Sequence, residues 1–81
     1  MYLHLGADTV VKTAEIVAIF DADNTTTGKA TAEFLRNAQI EGKLVDVDGG
    51  LPKSFTICTE KVYFSQISAQ TLLKRIERME E

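Results

Sequence analysis

Residues 16–20 form a continuous apolar run that is bounded on both sides by charged residues, Glu15 and Asp21. A short run with such boundaries is typical of a buried strand, because the helices of small domains are longer and alternate apolar with polar positions. No apolar run in the chain approaches the roughly 20 residues that a membrane-spanning helix needs. The 81 residues must therefore bury this strand under their own helices and strands, within a single thin-cored domain, residues 1–81.

Other short patterns predict five further strands and two helices. Alternating or β-branched segments predict the strands at residues 2–5, 9–13, 44–47, 55–57 and 62–65. Apolar residues at helical spacing predict one helix over residues 29–41, ended by Gly42, and a second helix after the N-cap Ser68. The predicted order is β-β-β-α-β-β-β-α, an α+β fold with a small antiparallel or mixed sheet of about six strands.

Asp48, Gly49 and Gly50 separate the predicted fourth and fifth strands. Glycine accepts the positive φ angles of tight turns, so this segment predicts a β-hairpin. Together with the strand at residues 62–65, the hairpin predicts a three-stranded meander from residue 44 to residue 65. The two glycines and Lys53 lead into a strand, whereas phosphate-binding glycine loops open onto a helix. A nucleotide loop is therefore disfavoured.

The residues that catalysis or metal binding needs are sparse. His4 is the only histidine and Cys58 the only cysteine, which is too few for a zinc site built on those ligands. His4 alternates with two leucines, which predicts a position on the sheet surface or at a subunit contact. The aspartate pairs at 21 and 23, and at 46 and 48, are predicted to be solvated turn residues. We expect no enzymatic activity, no cofactor and no metal.

The compartment follows from the first residues and from the cysteine. Residues 1–6 lack the basic stretch and apolar core of a secretory signal. Cys58 cannot form a disulfide within the chain, which suits a reducing compartment. We therefore expect a cytoplasmic protein that does not contact a membrane.

Basic residues are unevenly placed along this acidic chain. The formal net charge is −3, yet residues 49–76 hold four basic residues against Glu60 alone. A basic surface on helix and loop can neutralise DNA phosphates, although a few contacts bind weakly at physiological salt. The alternative is a solubilising helix face whose charges are balanced by Glu77, Glu80 and Glu81. The candidate phosphate contacts are Lys43, Lys53, Lys74, Arg75 and Arg78.

Four ordered segments resemble the bacterial extracellular matrix regulatory family, most closely its B-type members. They are residues 2–6, residues 16–21, Phe34-Leu35, and residues 62–75, so the resemblance spans essentially the whole chain. It implies a cytoplasmic regulator of biofilm-matrix genes with a fold similar to LytTR-type DNA-binding domains. It also implies a ring-like homo-oligomer that presents DNA-binding surfaces in series, so that weak contacts add up.

The chain departs from that family at the segment after the predicted fourth strand. A-type members carry a run of arginines there, whereas residues 49–53 of this chain keep only Lys53 as a basic residue. Two hypotheses follow. The first is an oligomeric regulator that binds double-stranded DNA. The second is a protein-interaction module that assembles with itself or with a paralogous regulator, which the apolar Leu51 favours.

Overall fold

The computed structural model describes residues 1–22 and 29–79. In this part of the chain it confirms an α+β fold with two α-helices. A 3-10 turn, Thr13–Glu15, joins the second and third strands. The second aspartate of the pair at 21 and 23 lies outside the described residues. The elements are β1 (Tyr2–Gly6), β2 (Thr9–Lys12), β3 (Ile16–Asp21), α1 (Lys29–Ile40), β4 (Leu44–Asp46), β5 (Ser54–Cys58), β6 (Val62–Ser65) and α2 (Ala69–Met79).

The strands divide into two sheets, whereas the sequence predicted one. β1 and β2 form an antiparallel hairpin, and the other four strands form a sheet in the order β3-β5-β6-β4. A turn with positive φ at Gly6 and Ala7 closes the hairpin. Its inner face, Leu3, Leu5 and Val11, is apolar and buried. The hairpin packs this apolar side against one face of the four-stranded sheet. That arrangement removes more apolar surface from water than adding the hairpin to the edge of the sheet.

The predicted hairpin between β4 and β5 is wrong, and with it part of the predicted meander. β4 pairs with β6 in parallel, so that β6 lies between β4 and β5. Nearly all of β5 is buried, which suits the centre of the sheet, while the three-residue β4 is partly exposed and suits an edge. Residues 47–53 therefore cross the end of the sheet. The hairpin from β5 to β6 is confirmed.

The hydrophobic core lies between the β1-β2 hairpin, one face of the four-stranded sheet, and α2. Its buried residues come from each of these layers: Leu3, Leu5, Val11, Cys58 and Leu72. The predicted cap of α2 is confirmed, because the Ser68 hydroxyl accepts a hydrogen bond from the Thr71 N–H at 3.2 Å. The core therefore holds α2 in a fixed position on β1, which decides where the polar side of this helix lies.

The opposite face of the four-stranded sheet is covered by α1. Gly42 ends this helix as predicted, with a φ of 73° and a hydrogen bond from the Lys43 N–H to the Ala38 carbonyl at 2.8 Å. Ala38 is buried, but Phe34 stays 45% exposed. The cover is incomplete, and apolar surface of the sheet remains open beside the helix.

Candidate nucleic-acid interface

The exposed side of α2 is basic. Ala69, Leu72, Ile76 and Met79 repeat every three or four residues and turn one side of the helix to the core. Residues 74, 75 and 78 are spaced so that their side chains share the other side. Lys74 and Arg78 are exposed, and Arg75 is half-buried at the flank. In α2, these three cations face one acidic residue, Glu77, so this helix face has a positive charge.

Arg75 joins this basic face to the β1-β2 hairpin. Its Nη1 donates a hydrogen bond to the His4 carbonyl at 3.0 Å, across 71 residues of sequence. A guanidinium has five N–H donors in a planar fork, so one bond to a carbonyl leaves donors for a phosphate. The bond also restricts the side chain before any ligand arrives. The sequence pattern predicts the charge of Arg75 but gives no sign of this contact.

Lys53 lies at the end of the sheet where α2 begins. Its backbone N–H donates to the Ser65 carbonyl at 2.8 Å, and its carbonyl accepts from the Ala22 N–H at 2.9 Å. The next residue, Ser54, donates its hydroxyl to the Ile67 carbonyl at 2.7 Å. The backbone of the exposed Lys53 is thus held next to the segment that leads into α2. Lys53 therefore lies before the N-terminal end of α2, and the basic residues of this helix lie in its later turns.

Lys43 does not join this group. It precedes β4, whose first residue, Leu44, pairs with Val62 at the start of β6, whereas Ser54 after Lys53 pairs with Ser65 at the end of β6. The two lysines therefore lie at opposite ends of the sheet. Lys43 Nζ is 3.2 Å from Glu41 Oε2, and both side chains are exposed. The basic face of α2 therefore consists of Lys74, Arg75 and Arg78.

The crossing loop, residues 47–53, is held by two carboxylates. Asp46 Oδ1 accepts a hydrogen bond from the Gly49 N–H at 2.9 Å, and Asp48 Oδ2 accepts one from the Gln66 N–H at 3.0 Å. Both aspartates are exposed, as predicted, and they also fix the loop backbone. Leu51 at the tip remains 90% exposed.

The two residues closest to enzymatic chemistry have structural contacts. The His4 ring lies at the surface with Nε2 2.7 Å from the Ala7 carbonyl, a hydrogen bond in which Nε2 carries the proton. Burial raises the pKa of the Cys58 thiol, and the nearby Glu15 carboxylate raises it further. The thiol is therefore protonated at neutral pH and a poor nucleophile.

The described residues offer neither a metal site nor a membrane-spanning helix. They contain no cluster of three or more histidine, cysteine, aspartate or glutamate side chains that could hold a metal ion. Neither of the helices in residues 1–22 and 29–79 is long and apolar enough to cross a membrane.

Comparisons with known proteins match nearly the full chain. Residues 2–76 match the protein family described as extracellular matrix regulatory protein A-like. The chain is also 40% identical to the extracellular matrix regulatory protein B of Bacillus subtilis (strain 168), over 81 residues that cover 100% of this chain and 96% of that protein.

Proposed function

Because this chain belongs to the extracellular matrix regulatory protein A-like family, we propose that it is a cytoplasmic, non-enzymatic transcriptional regulator of matrix genes that binds double-stranded DNA as a homo-oligomer. The family membership that four sequence segments predicted is confirmed. The observation that carries the DNA-binding part of the proposal is the basic face of α2, which Arg75 anchors to β1.

The number of cations explains why the proposal includes several copies. The basic face allows three phosphate contacts from one subunit, and Lys53 is the candidate for a fourth. At about 0.9 salt ions released per contact, such a subunit loses roughly a hundredfold in affinity between about 50 and 200 mM salt. Contacts repeated around an oligomer bind one duplex together, so the second and later subunits bind at high effective concentration. The −3 charge of the chain is compatible with this arrangement, because acidic surfaces can face away from DNA.

The test compares Lys74→Ala/Arg78→Ala with the wild type by fluorescence anisotropy on labelled promoter DNA at several salt concentrations. We expect weaker binding and a plot of log affinity against log salt that is shallower by about 1.8 for each subunit that contacts DNA. Lys61→Ala is the matched control, because Lys61 is an exposed lysine in the β5-β6 turn, near the end of the sheet that carries Lys43. Wild-type affinity and slope in the double variant would refute the assignment of the basic face.

A second function is favoured by the crossing loop. Leu51 is 90% exposed, and Lys53 is the only basic residue of residues 47–53. An exposed leucine in a loop with a single basic residue suits a protein contact better than a phosphate contact. In this hypothesis the chain assembles with itself or with a paralogous regulator and has little DNA affinity of its own. Purification of the chain from its native cell after nuclease treatment separates the two, since a protein partner survives that treatment and a DNA-bridged one does not.

A further inference from the structure

An apolar groove opens between α1 and the β3 edge of the sheet. Val17 at its rim is 67% exposed, and Phe34 is 45% exposed. The groove has a volume of about 310 Å³. Its lining is entirely apolar in residue type: Val17, Ala18, Phe20, Ala30, Phe34 and Ile57.

The groove is a product of the β3 register. The pairing of β3 with β5 shifts between Ile16 and Ala18, so that Val17 is the extra residue of a β-bulge. After the bulge, Ala18 and Phe20 share the sheet face that carries Phe55 and Ile57. α1 crosses this face and leaves the strip next to β3 uncovered. Val17, Phe20 and Phe34 line this strip and all three stay exposed, so the strip is accessible to a protein contact.

The crossing loop carries an exposed apolar side chain that suits an apolar groove. Leu51 projects from a backbone that Asp46 and Asp48 hold by hydrogen bonds, so little conformational entropy is lost when the leucine is buried. Its 90% exposure shows that it does not reach the groove of its own chain. A contact between the two features therefore requires a second copy of the chain.

Charge favours the same pairing. Glu33 lies on α1 between the positions of Ala30 and Phe34, which line the groove, and its side chain is exposed. Lys53 follows Leu51 by two residues and is also exposed. When the leucine of one copy enters the groove of another, the lysine beside it can pair with Glu33.

We propose that Leu51 of one subunit inserts into the groove between α1 and β3 of the next subunit, with Lys53 beside Glu33, so that the basic face alone is left to contact DNA in the assembly. This inference rests on the self-association in the proposed function and names its contact. The two surfaces differ, so the contact is head-to-tail, and its repetition gives a closed ring or an open chain instead of a twofold dimer. Every subunit of such an assembly presents its basic face in the same sense along the series.

The test uses one variant for each side of the contact. Leu51→Asp removes the inserting side chain, and Val17→Asp places a charge in the groove; both positions are exposed, so the fold tolerates them. Ile40→Asp is the control, because Ile40 is an exposed apolar residue of α1 that does not line the groove. We expect monomers for the first two variants by light scattering, at concentrations where the wild type and the control are oligomers.

The decisive measurement is the mixture of the two monomeric variants. In a head-to-tail contact, Leu51 of the Val17→Asp chain still fits the groove of the Leu51→Asp chain, so the mixture forms a one-to-one dimer. A mixture that stays monomeric, or a Leu51→Asp variant of wild-type mass, overturns the inference while leaving the self-association intact. A monomeric wild type refutes the self-association itself. A second measurement tests the ion pair. Lys53→Glu and Glu33→Lys should each weaken assembly, and the double variant should restore it. A double variant that does not recover assembly would show that Lys53 and Glu33 do not pair in the contact.

Discussion

Replacing Ser65 by alanine removes the hydroxyl that joins the two sheets. Ser65 Oγ lies on β6, is almost fully buried, and donates a hydrogen bond to the Leu5 carbonyl on β1. The same oxygen accepts a hydrogen bond from the Ile67 N–H at 3.0 Å. Alanine at this position leaves both backbone groups without their partner.

The magnitude follows from the burial of each group. The Leu5 carbonyl belongs to a fully buried residue, and leaving a buried polar group unsatisfied costs about 1–3 kcal/mol. The Ile67 N–H is only part-buried and can bond to water in the variant. Losing its hydrogen bond to Ser65 therefore costs about 0.5–1.5 kcal/mol, the net value of an ordinary hydrogen bond. The sum, about 2–4 kcal/mol, is a large fraction of the roughly 3–5 kcal/mol that the core of a domain this small supplies.

Thermal and urea denaturation at one fixed protein concentration measure the effect. We expect the Tm of Ser65→Ala to fall by about 10 °C or more, since each kcal/mol shifts the Tm of a domain this size by about 4–8 °C. Ser68→Ala is the matched serine control, because it removes only the cap of α2 and costs about 1 kcal/mol. A Ser65→Ala variant within about 0.5 kcal/mol of the wild type would show that the hydroxyl does not hold the sheets together.

Two further predictions concern buried groups of β5. Thr56 Oγ1 is buried and has no hydrogen-bond partner among the described residues, so Thr56→Val should raise the free energy of unfolding by about 1 kcal/mol in urea titrations; destabilisation would mean that the hydroxyl is satisfied. Burial, and to a smaller extent the Glu15 carboxylate, raises the pKa of the Cys58 thiol in the folded state. The same thiol in the unfolded chain therefore loses its proton at a lower pH. The free energy of unfolding should fall as the pH rises above about 8.5, the ordinary cysteine value. Cys58→Ala should flatten that fall, and an unchanged pH profile would assign it to Tyr63, whose pKa burial also raises.

The helices and their ends could be predicted from the sequence because their signals are local. Gly42 takes the left-handed conformation that ends α1, and Ser68 caps α2, as the residue types indicate. The basic face was also predictable, since the 3.6-residue period sets which side of α2 the charged residues share. These features depend only on neighbours within one or two helical turns.

Pairing between distant segments could not be predicted in the same way. Asp48, Gly49 and Gly50 have the composition of a hairpin turn, which predicts that β4 pairs with β5. The strand β5 is instead central and buried, and its two neighbours are β3 and β6. The link from Arg75 to the His4 carbonyl depends on how α2 packs on β1, which no local pattern encodes. The groove likewise depends on a register shift at Val17 that periodicity does not reveal. The candidate contact surfaces therefore required the structure.

The parallel pairing of β4 with β6 also sets an order of events during synthesis. β4 leaves the ribosome before its partner, and it forms its ladder hydrogen bonds only after residues 62–64 of β6 have emerged. The apolar face of the β1-β2 hairpin is buried later still, because the core also needs Leu72 from α2. A nascent chain that stops before this helix therefore has exposed strands and no closed core, the state that chaperones and proteases recognise. The helix that carries the basic face also closes the core, so we do not expect a truncated chain that lacks this face to persist as a folded competitor for the same assembly.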